Sequence, residues 1–270
     1  MRALLELVRA PAALSVPGDT MAGAAAAGSP ARPGTAVAST LLYWAGMALN
    51  DWSDRHQDAV DRPERPVPSG RISPATALAT AVGCTGAGLL TAFVAGGRRG
   101  LGLAGLLAGA VWAYDLALKR TPAGPAAMAA CRALDVMLGA GGAARAVPTA
   151  LAIGAHTYGI SVLGRAETRG ATGATVGGAV AACATAAALV AWTCPGAPLA
   201  GYVTTAGRAL AGLRADPDPA RVRQAVRLSI VALIPLQAAA VAGHGRPVQS
   251  AALLAAAPFG GRLSRLVATS

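Results

Sequence analysis

Asn50 to Asp61 reads NDWSDRHQDAVD, in a chain that is otherwise strongly apolar. The protein has 12 acidic residues, and four of them fall here: Asp51, Asp54, Asp58 and Asp61. Carboxylates at the edge of hydrocarbon are costly and are rarely placed there without a use. Asn50, Asp54 and Asp58 are spaced i, i+4, i+8; Asp51, Asp54 and Asp58 are spaced i, i+3, i+7. Either set lies along one stripe of a helix. An oxygen-only stripe suits a hard cation such as Mg²⁺, which often bridges one or two carboxylates to a substrate phosphate.

Outward from this segment, the composition is that of a polytopic membrane protein. The 270 residues are 54% hydrophobic and only 13% charged, about half the charge of an ordinary soluble domain (~25%). Ala and Gly dominate the apolar content, and small residues let helices approach closely in lipid. The net charge of +11 does not indicate a nucleic-acid partner. The arginines sit in short loops between apolar runs, where they set membrane topology. Lys119 is the one lysine against 22 arginines. The four cysteines form no CxxC pair and read as small packing residues, with neither a disulfide nor zinc implied. The N-terminus makes a poor signal peptide and is expected to remain as the first helix.

Ten apolar stretches are candidate spans, judged against the ~20 residues that cross a bilayer. They are 4–27, 36–49, 75–95, 101–116, 126–144, 149–164, 172–193, 200–213, 225–242 and 248–266. The stretch 200–213 is the weakest, being short and containing Arg208. The expected fold class is all-α: a single integral-membrane domain over residues 1–270, with nine or ten transmembrane helices around a central polar cavity. With a cytoplasmic N-terminus, sixteen Arg and Lys residues fall on the cytoplasmic side and five (Arg32, Arg98, Arg99, Arg145 and Arg246) on the other. That orientation requires 200–213 to cross. It places the loops near Asp61, Arg120 and Arg169 on one cytoplasmic face of the cell membrane.

The acidic segment continues as DRPERPVPSGRIS, Asp61 to Ser73. Pro63, Pro66 and Pro68 forbid a continuous helix, and Gly70 permits a tight turn. Arg62, Arg65 and Arg71 are placed to meet a phosphate, since guanidinium forks match phosphate oxygens. Together, NDWSDRHQD and RPVPSGRIS resemble the first aspartate-rich motif of the UbiA-type intramembrane prenyltransferases, NDxxDxxxD followed by RPLPSG. The resemblance implies a bundle of about nine helices that transfers a prenyl group from a prenyl diphosphate to an acceptor, usually aromatic, with Mg²⁺ held between two aspartate-rich motifs. It makes Asn50, Asp51, Asp54 and Asp58 the expected metal and diphosphate ligands, with Asp54 and Asp58 also assigned to catalysis. The partners implied are a prenyl diphosphate, a small-molecule acceptor and membrane lipid.

The second motif of that family, roughly DxxxD on the sixth helix, is missing. In its place stands YGISVLGRAETRGAT, Tyr158 to Thr172, as in a divergent branch of the EboC kind. Arg165 and Glu167 are the expected replacements. Arg165 would supply positive charge at the diphosphate, and Glu167 would orient it or assist one metal. Lys119, in YDLALKRTPAG, is expected to act as a point charge for the diphosphate. Arg132 and Asp135, three residues apart within the fifth span, form an intrahelical ion pair or line a polar cavity, and Arg132 is a further diphosphate candidate. Asp19 is expected to cap a proline-broken helix, and His156 to be a packed, hydrogen-bonded histidine. The leading expectation is an enzyme, a prenyltransferase; the alternative is a non-catalytic carrier of a lipid-like precursor on the same fold. CDP-alcohol phosphotransfer is disfavoured because its DGxxAR…GxxxDxxxD signature is missing.

Overall fold

The computed structural model describes residues 2–9, 16–194, 196–215 and 217–256, and these are helical with short connections. In chain order the helices are α1 (Arg2–Leu7), α2 (Pro17–Ala26), α3 (Pro33–Ser53), α4 (Arg55–Asp61), α5 (Pro74–Ala113), α6 (Gly124–Gly139), α7 (Val147–Gly164), α8 (Gly173–Ala191), α9 (Ala197–Ala215) and α10 (Pro219–Gly243). A further helix, α11, covers Pro247–Ala256. The expected end of the last span, with Arg262 and Arg265, lies outside the described residues.

Four helical stretches are long and apolar enough to cross a membrane: Pro74–Leu118, Ala144–Gly164, Gly173–Ala191 and Pro219–Gly243. The first is not one rod. Gly97 adopts φ 61°, ψ −152°, a backbone state that side chains with a Cβ avoid, and the chain reverses there. Trp112 Nε1 donates to Thr85 Oγ1 at 3.1 Å. In a straight helix those residues would lie ~40 Å apart. The two limbs therefore match the separate spans expected at 75–95 and 101–116. Helix α9 is longer than the sequence suggested, and Tyr202 anchors it. That side chain is buried, and its hydroxyl hydrogen-bonds His156 Nδ1 at 2.9 Å. Ser229 O lies 3.0 Å from His156 Nε2, so His156 is the packed, hydrogen-bonded residue expected.

Small residues fix the closest helix crossings. A Cβ on Gly23 of α2 would overlap the Val136 carbonyl of α6, and one on Gly139 of α6 would overlap the backbone of Thr20. Such close approach supplies packing where lipid removes any hydrophobic drive between helices. All four cysteines are free, and three are buried.

The acidic segment and the loop after it are held at one end of the bundle. Helix α3 stops at Ser53, Asp54 takes φ −92°, ψ 1°, and α4 restarts at Arg55. The proline-rich loop is pinned by Val67 and Ile72, both buried against Leu7, Ala48, Leu49 and Ala77. After α5 comes one π-helical turn, Tyr114–Leu118, closed by Lys119 N donating to Tyr114 O at 2.9 Å. Single π turns often occur at functional sites. This one carries Asp115 and Lys119 to the acidic end.

Candidate active site

The break at Asp54 divides the acidic residues into two sets. Asp51 and Asp58 face one side. Arg65 Nη1 reaches Asp58 Oδ2 at 2.6 Å and Asp51 Oδ1 at 3.4 Å, and Arg9 Nη2 approaches the same Asp51 oxygen at 3.4 Å. Asp54 faces the other side. Lys119 Nζ lies 2.7 Å from its Oδ2, and Arg120 Nη2 lies 2.7 Å from its Oδ1. Asp115 joins this second set, accepting a hydrogen bond from Asn50 Nδ2 at 3.0 Å with Lys119 Nζ 3.7 Å away. The single stripe expected from spacing is therefore two acid pairs, Asp51 with Asp58 and Asp54 with Asp115. The turn at Asp54 is the reason: it rotates that carboxylate away from the Arg65 side.

Asp51, Asp58 and Asp115 are buried. Buried carboxylates need paired cations and hydrogen bonds, and Arg9, Arg65, Lys119 and the Asn50 amide supply them. At Asp54, partial burial pushes the carboxyl up. The hydrogen bonds and charges of Lys119 and Arg120 outweigh burial and leave it below its ordinary value of 3.8.

The remaining sequence candidates divide. Arg165 caps α7, and its Nη1 donates to Thr121 O, which ties it to the Lys119–Arg120 segment. Glu167 is held through its backbone oxygen by Arg223 Nη1 at 3.0 Å, and no described contact brings its carboxylate to the acid pairs. Arg71 turns outward to Glu6, Ser69 and the Glu64 carbonyl. Arg62 is exposed in the loop. Arg132 is not at this end. Its Nε lies 2.9 Å from Asp19 Oδ2 in the bundle interior. Of the two alternatives for Arg132 and Asp135, no described contact forms the intrahelical ion pair; Arg132 pairs across helices with Asp19, which is an ion-pair partner instead of a cap. Asp115 was not among the expected ligands. Its signal in the sequence was position: an acid four residues before the one lysine, beside a proline-rich break.

A membrane-type helical bundle with acid pairs and facing cations at one end defines the class. Comparisons define the family. The UbiA prenyltransferase family model matches residues 16–268, and the chain belongs to that family. It is 41% identical over 128 residues to digeranylgeranylglyceryl phosphate synthase of Methanopyrus kandleri, covering 45% of this chain and 46% of that one. It is 37% identical over 86 residues to the bacteriochlorophyll synthase 33 kDa chain of Rhodobacter capsulatus, covering 31% and 27%. The matched stretches thus span less than half the length of these curated relatives. The fold matches the apo structure of a UbiA homolog from Aeropyrum pernix K1 with TM-score 0.69 at 19% identity, covering 86% of this chain and 97% of the other. It also matches a UbiA homolog from Archaeoglobus fulgidus bound to GPP and Mg²⁺, with TM-score 0.57 at 12% identity, covering 92% and 99%. The chain is an integral membrane protein of this fold.

Proposed function

We propose that this protein transfers a prenyl group from a prenyl diphosphate to a small nucleophilic acceptor inside the membrane, with Mg²⁺ as cofactor. The observation that carries the reading is the pairing of four carboxylates with four cations at one end of an apolar bundle. Family membership and the GPP- and Mg²⁺-bound homolog support it.

The donor set fits Mg²⁺. Asp51, Asp54, Asp58 and Asp115 with the Asn50 amide are all hard oxygen ligands, arranged as two pairs. Among the described residues no three acidic, His or Cys groups converge closely enough to cage an ion. That suits a cation that keeps water and substrate phosphate in its shell. Bound there, the cation supplies charge neutralisation for the departing diphosphate. Each existing ion pair can be exchanged for a carboxylate–metal and a cation–phosphate pair, so charge stays matched. Arg65 and Arg120 offer forked donors to phosphate oxygens, and Lys119 offers a compact charge. Arg165 sits next to this group and extends it.

Cleavage of the allylic C–O bond sends its electron pair to the diphosphate. The acceptor then attacks the allylic carbon and loses a proton. Apolar walls exclude water from the allylic carbocation that this cleavage leaves. The residues 1–270 act as one domain around a central cavity, with the acidic end on the cytoplasmic face. External labelling of Asp61→Cys and Arg120→Cys should fail in intact cells, and efficient labelling of either would reverse the orientation.

The experiment that tests the function uses the protein in lipid nanodiscs with geranyl and longer prenyl diphosphates, a cell extract and Mg²⁺. Pyrophosphate release with a prenylated product supports transfer. A carrier binds the diphosphate and releases no pyrophosphate.

A further inference from the structure

Helices α8 and α9 flank an open groove of about 370 Å³, lined by Gly173, Val176, Gly177, Val180, Leu213 and Pro217. Two of these wall residues have no side chain. A Cβ on Gly173 or on Gly177 would meet nothing within 4 Å. Gly173 is the first residue of the span Gly173–Ala191, which is 28% buried and so mostly left to lipid. The groove therefore starts where α8 enters the membrane. From Gly173 to Val180 it runs roughly 10 Å into hydrocarbon.

Two connections meet at the mouth of the groove. Ala171 N, between α7 and α8, donates to Pro217 O, between α9 and α10, at 2.9 Å. These connections and the first turn of α10 carry three exposed arginines, Arg169, Arg221 and Arg223. Arg169 stands two residues before Ala171 and four before Gly173. Its side chain makes no hydrogen bond or ion pair among the described residues. Arg223 Nη1 donates to Glu167 O at 3.0 Å, using one arm of its fork. The acids among the described residues here are Glu167 and Asp218. Asp218 Oδ1 is occupied as the cap of α10, accepting from Ala220 N at 2.6 Å and Arg221 N at 2.9 Å. Positive charge predominates at the mouth.

An apolar trough with cations at its interfacial end selects its occupant. A neutral apolar chain offers the arginines nothing. A free phosphate leaves the trough unfilled. A prenyl diphosphate is amphiphilic, but the acid pairs suited to its Mg²⁺ are Asp51 with Asp58 and Asp54 with Asp115, on α3, α4 and the π turn. A membrane phospholipid with net negative charge fits both parts, since arginines at the membrane surface attract such headgroups. We propose that the α8–α9 groove binds an anionic phospholipid, with one acyl chain along Gly173 and Gly177 and the phosphate on Arg169. Arg223 adds charge beside it. This site is separate from the acid pairs and does not rest on the prenyl-transfer reading.

The test is titration of the full chain in a neutral detergent, with bound lipid read by native mass spectrometry. The probes are phosphatidylglycerol and phosphatidylcholine with identical palmitoyl and oleoyl chains. The wild type should bind phosphatidylglycerol about tenfold more tightly, since each arginine near a membrane surface gives about a fivefold preference. Arg169→Gln should remove about fivefold of that preference. Gly177→Leu should weaken both lipids about tenfold, the cost of leaving about two methylenes unburied. Its fold should hold, because the new side chain enters open space and Leu favours a helix over Gly. Gly105→Leu, at an equally open position on α5, should bind both lipids as the wild type does. Equal affinity of the wild type for the two lipids overturns the proposal. So does a Gly177→Leu variant that binds like Gly105→Leu, or an unchanged preference in Arg169→Gln. Geranylgeranyl diphosphate with Mg²⁺ is the third probe and should bind wild type and Gly177→Leu alike. If Gly177→Leu weakens that probe and spares phosphatidylglycerol, the groove takes the prenyl substrate and the proposal fails. The wild-type comparison and Arg169→Gln decide even where Gly177→Leu does not fold. Prenyl transfer is not read here, so failure of that reading is detected separately.

Discussion

The two ends of the bundle use arginine in different ways. At the acidic end, Arg9, Arg65 and Arg120 meet carboxylates, with Lys119 beside them. At the opposite end, Arg32 Nη1 donates to Ala95 O at 3.2 Å, Arg99 Nη2 to Gly142 O at 3.1 Å, and Arg145 Nη2 to Ala27 O. Those carbonyls lie at helix ends or in tight turns, where backbone acceptors lack partners within the helix. A cation there also complements the helix dipole. The second set closes the fold. The first set holds carboxylates in place, and under the proposed function it is the set that exchanges them for ligand. Net charge alone does not separate the two sets; partner type does, and on the acidic side Arg55, Arg71, Arg165 and Arg223 also donate to backbone carbonyls.

The largest expected effect breaks or confirms that division. Asp54→Ala and Asp58→Ala should each lower kcat/KM for a prenyl diphosphate by about a hundredfold or more, the scale seen when a transition-state charge contact is removed. Arg145→Ala should leave kcat/KM within about twofold and lower the melting temperature, since it removes only a carbonyl contact worth ~1 kcal/mol. Pyrophosphate release and thermal unfolding measured on all three variants check this. An equal catalytic loss in Arg145→Ala would end the distinction between the two ends.

A smaller effect is expected at Asp115. Asp115→Asn keeps the size of the side chain but removes one carboxylate of the second acid pair. It should raise the Mg²⁺ concentration needed for half-maximal activity about tenfold, the lower end of the range for residues that support a metal site. An unchanged Mg²⁺ requirement would leave Asp51, Asp54 and Asp58 as the acidic ligands and Asp115 as a partner for Asn50 and Lys119 alone.

Arg165 tests where the catalytic end stops. Its guanidinium already holds the Thr121 carbonyl, and the fork has further N–H groups for a phosphate. Arg165→Lys should reduce kcat/KM about tenfold, because an ammonium cannot serve both. Full activity in both Arg165→Lys and Arg165→Ala would assign Arg165 to the carbonyl-binding class of the opposite end.

How much of this was legible in the sequence depends on the range of the cause. The acidic segment and the loop with Pro63, Pro66 and Pro68 were readable because their residue types are out of place in an apolar chain. The reversal near Gly97 was readable from the glycines and arginines between two apolar runs. Asp115 was not assigned: its place four residues before Lys119 was readable, but bringing it to the acidic end needs the extra residue of a π turn, which the spacing does not announce. Arg132 and Asp135 were readable as a polar pair within one span, but their partners come from α2 and α3. Asp19 is 113 residues from Arg132 in the chain, and helical periodicity carries no information at that range. The same limit applies to Asp54. Spacing placed it on a stripe with Asp58, and a single non-helical residue moved it to the other acid pair.

The smallest expected effect concerns pH and separates the two ends by titration. Asp54 is held below its ordinary value of 3.8 by Lys119 and Arg120 against the opposing effect of burial. A carboxylate depressed on folding stabilises the native state above its unfolded value. The contribution falls away as pH drops through the folded one. The stability difference between wild type and Asp54→Asn should therefore be constant between about pH 5 and 8 and shrink only below 3.8. It should be small throughout and should decrease with salt, because the site is partly solvated and Arg120 is exposed. Arg145→Ala should show a difference that does not change with pH, since the contact it loses is to a backbone carbonyl. Thermal unfolding of both variants across the pH series distinguishes the cases. A difference for Asp54→Asn that disappears near neutral pH would mean that its carboxylate is raised, and the Lys119–Arg120 clamp would then not be the dominant influence at this end.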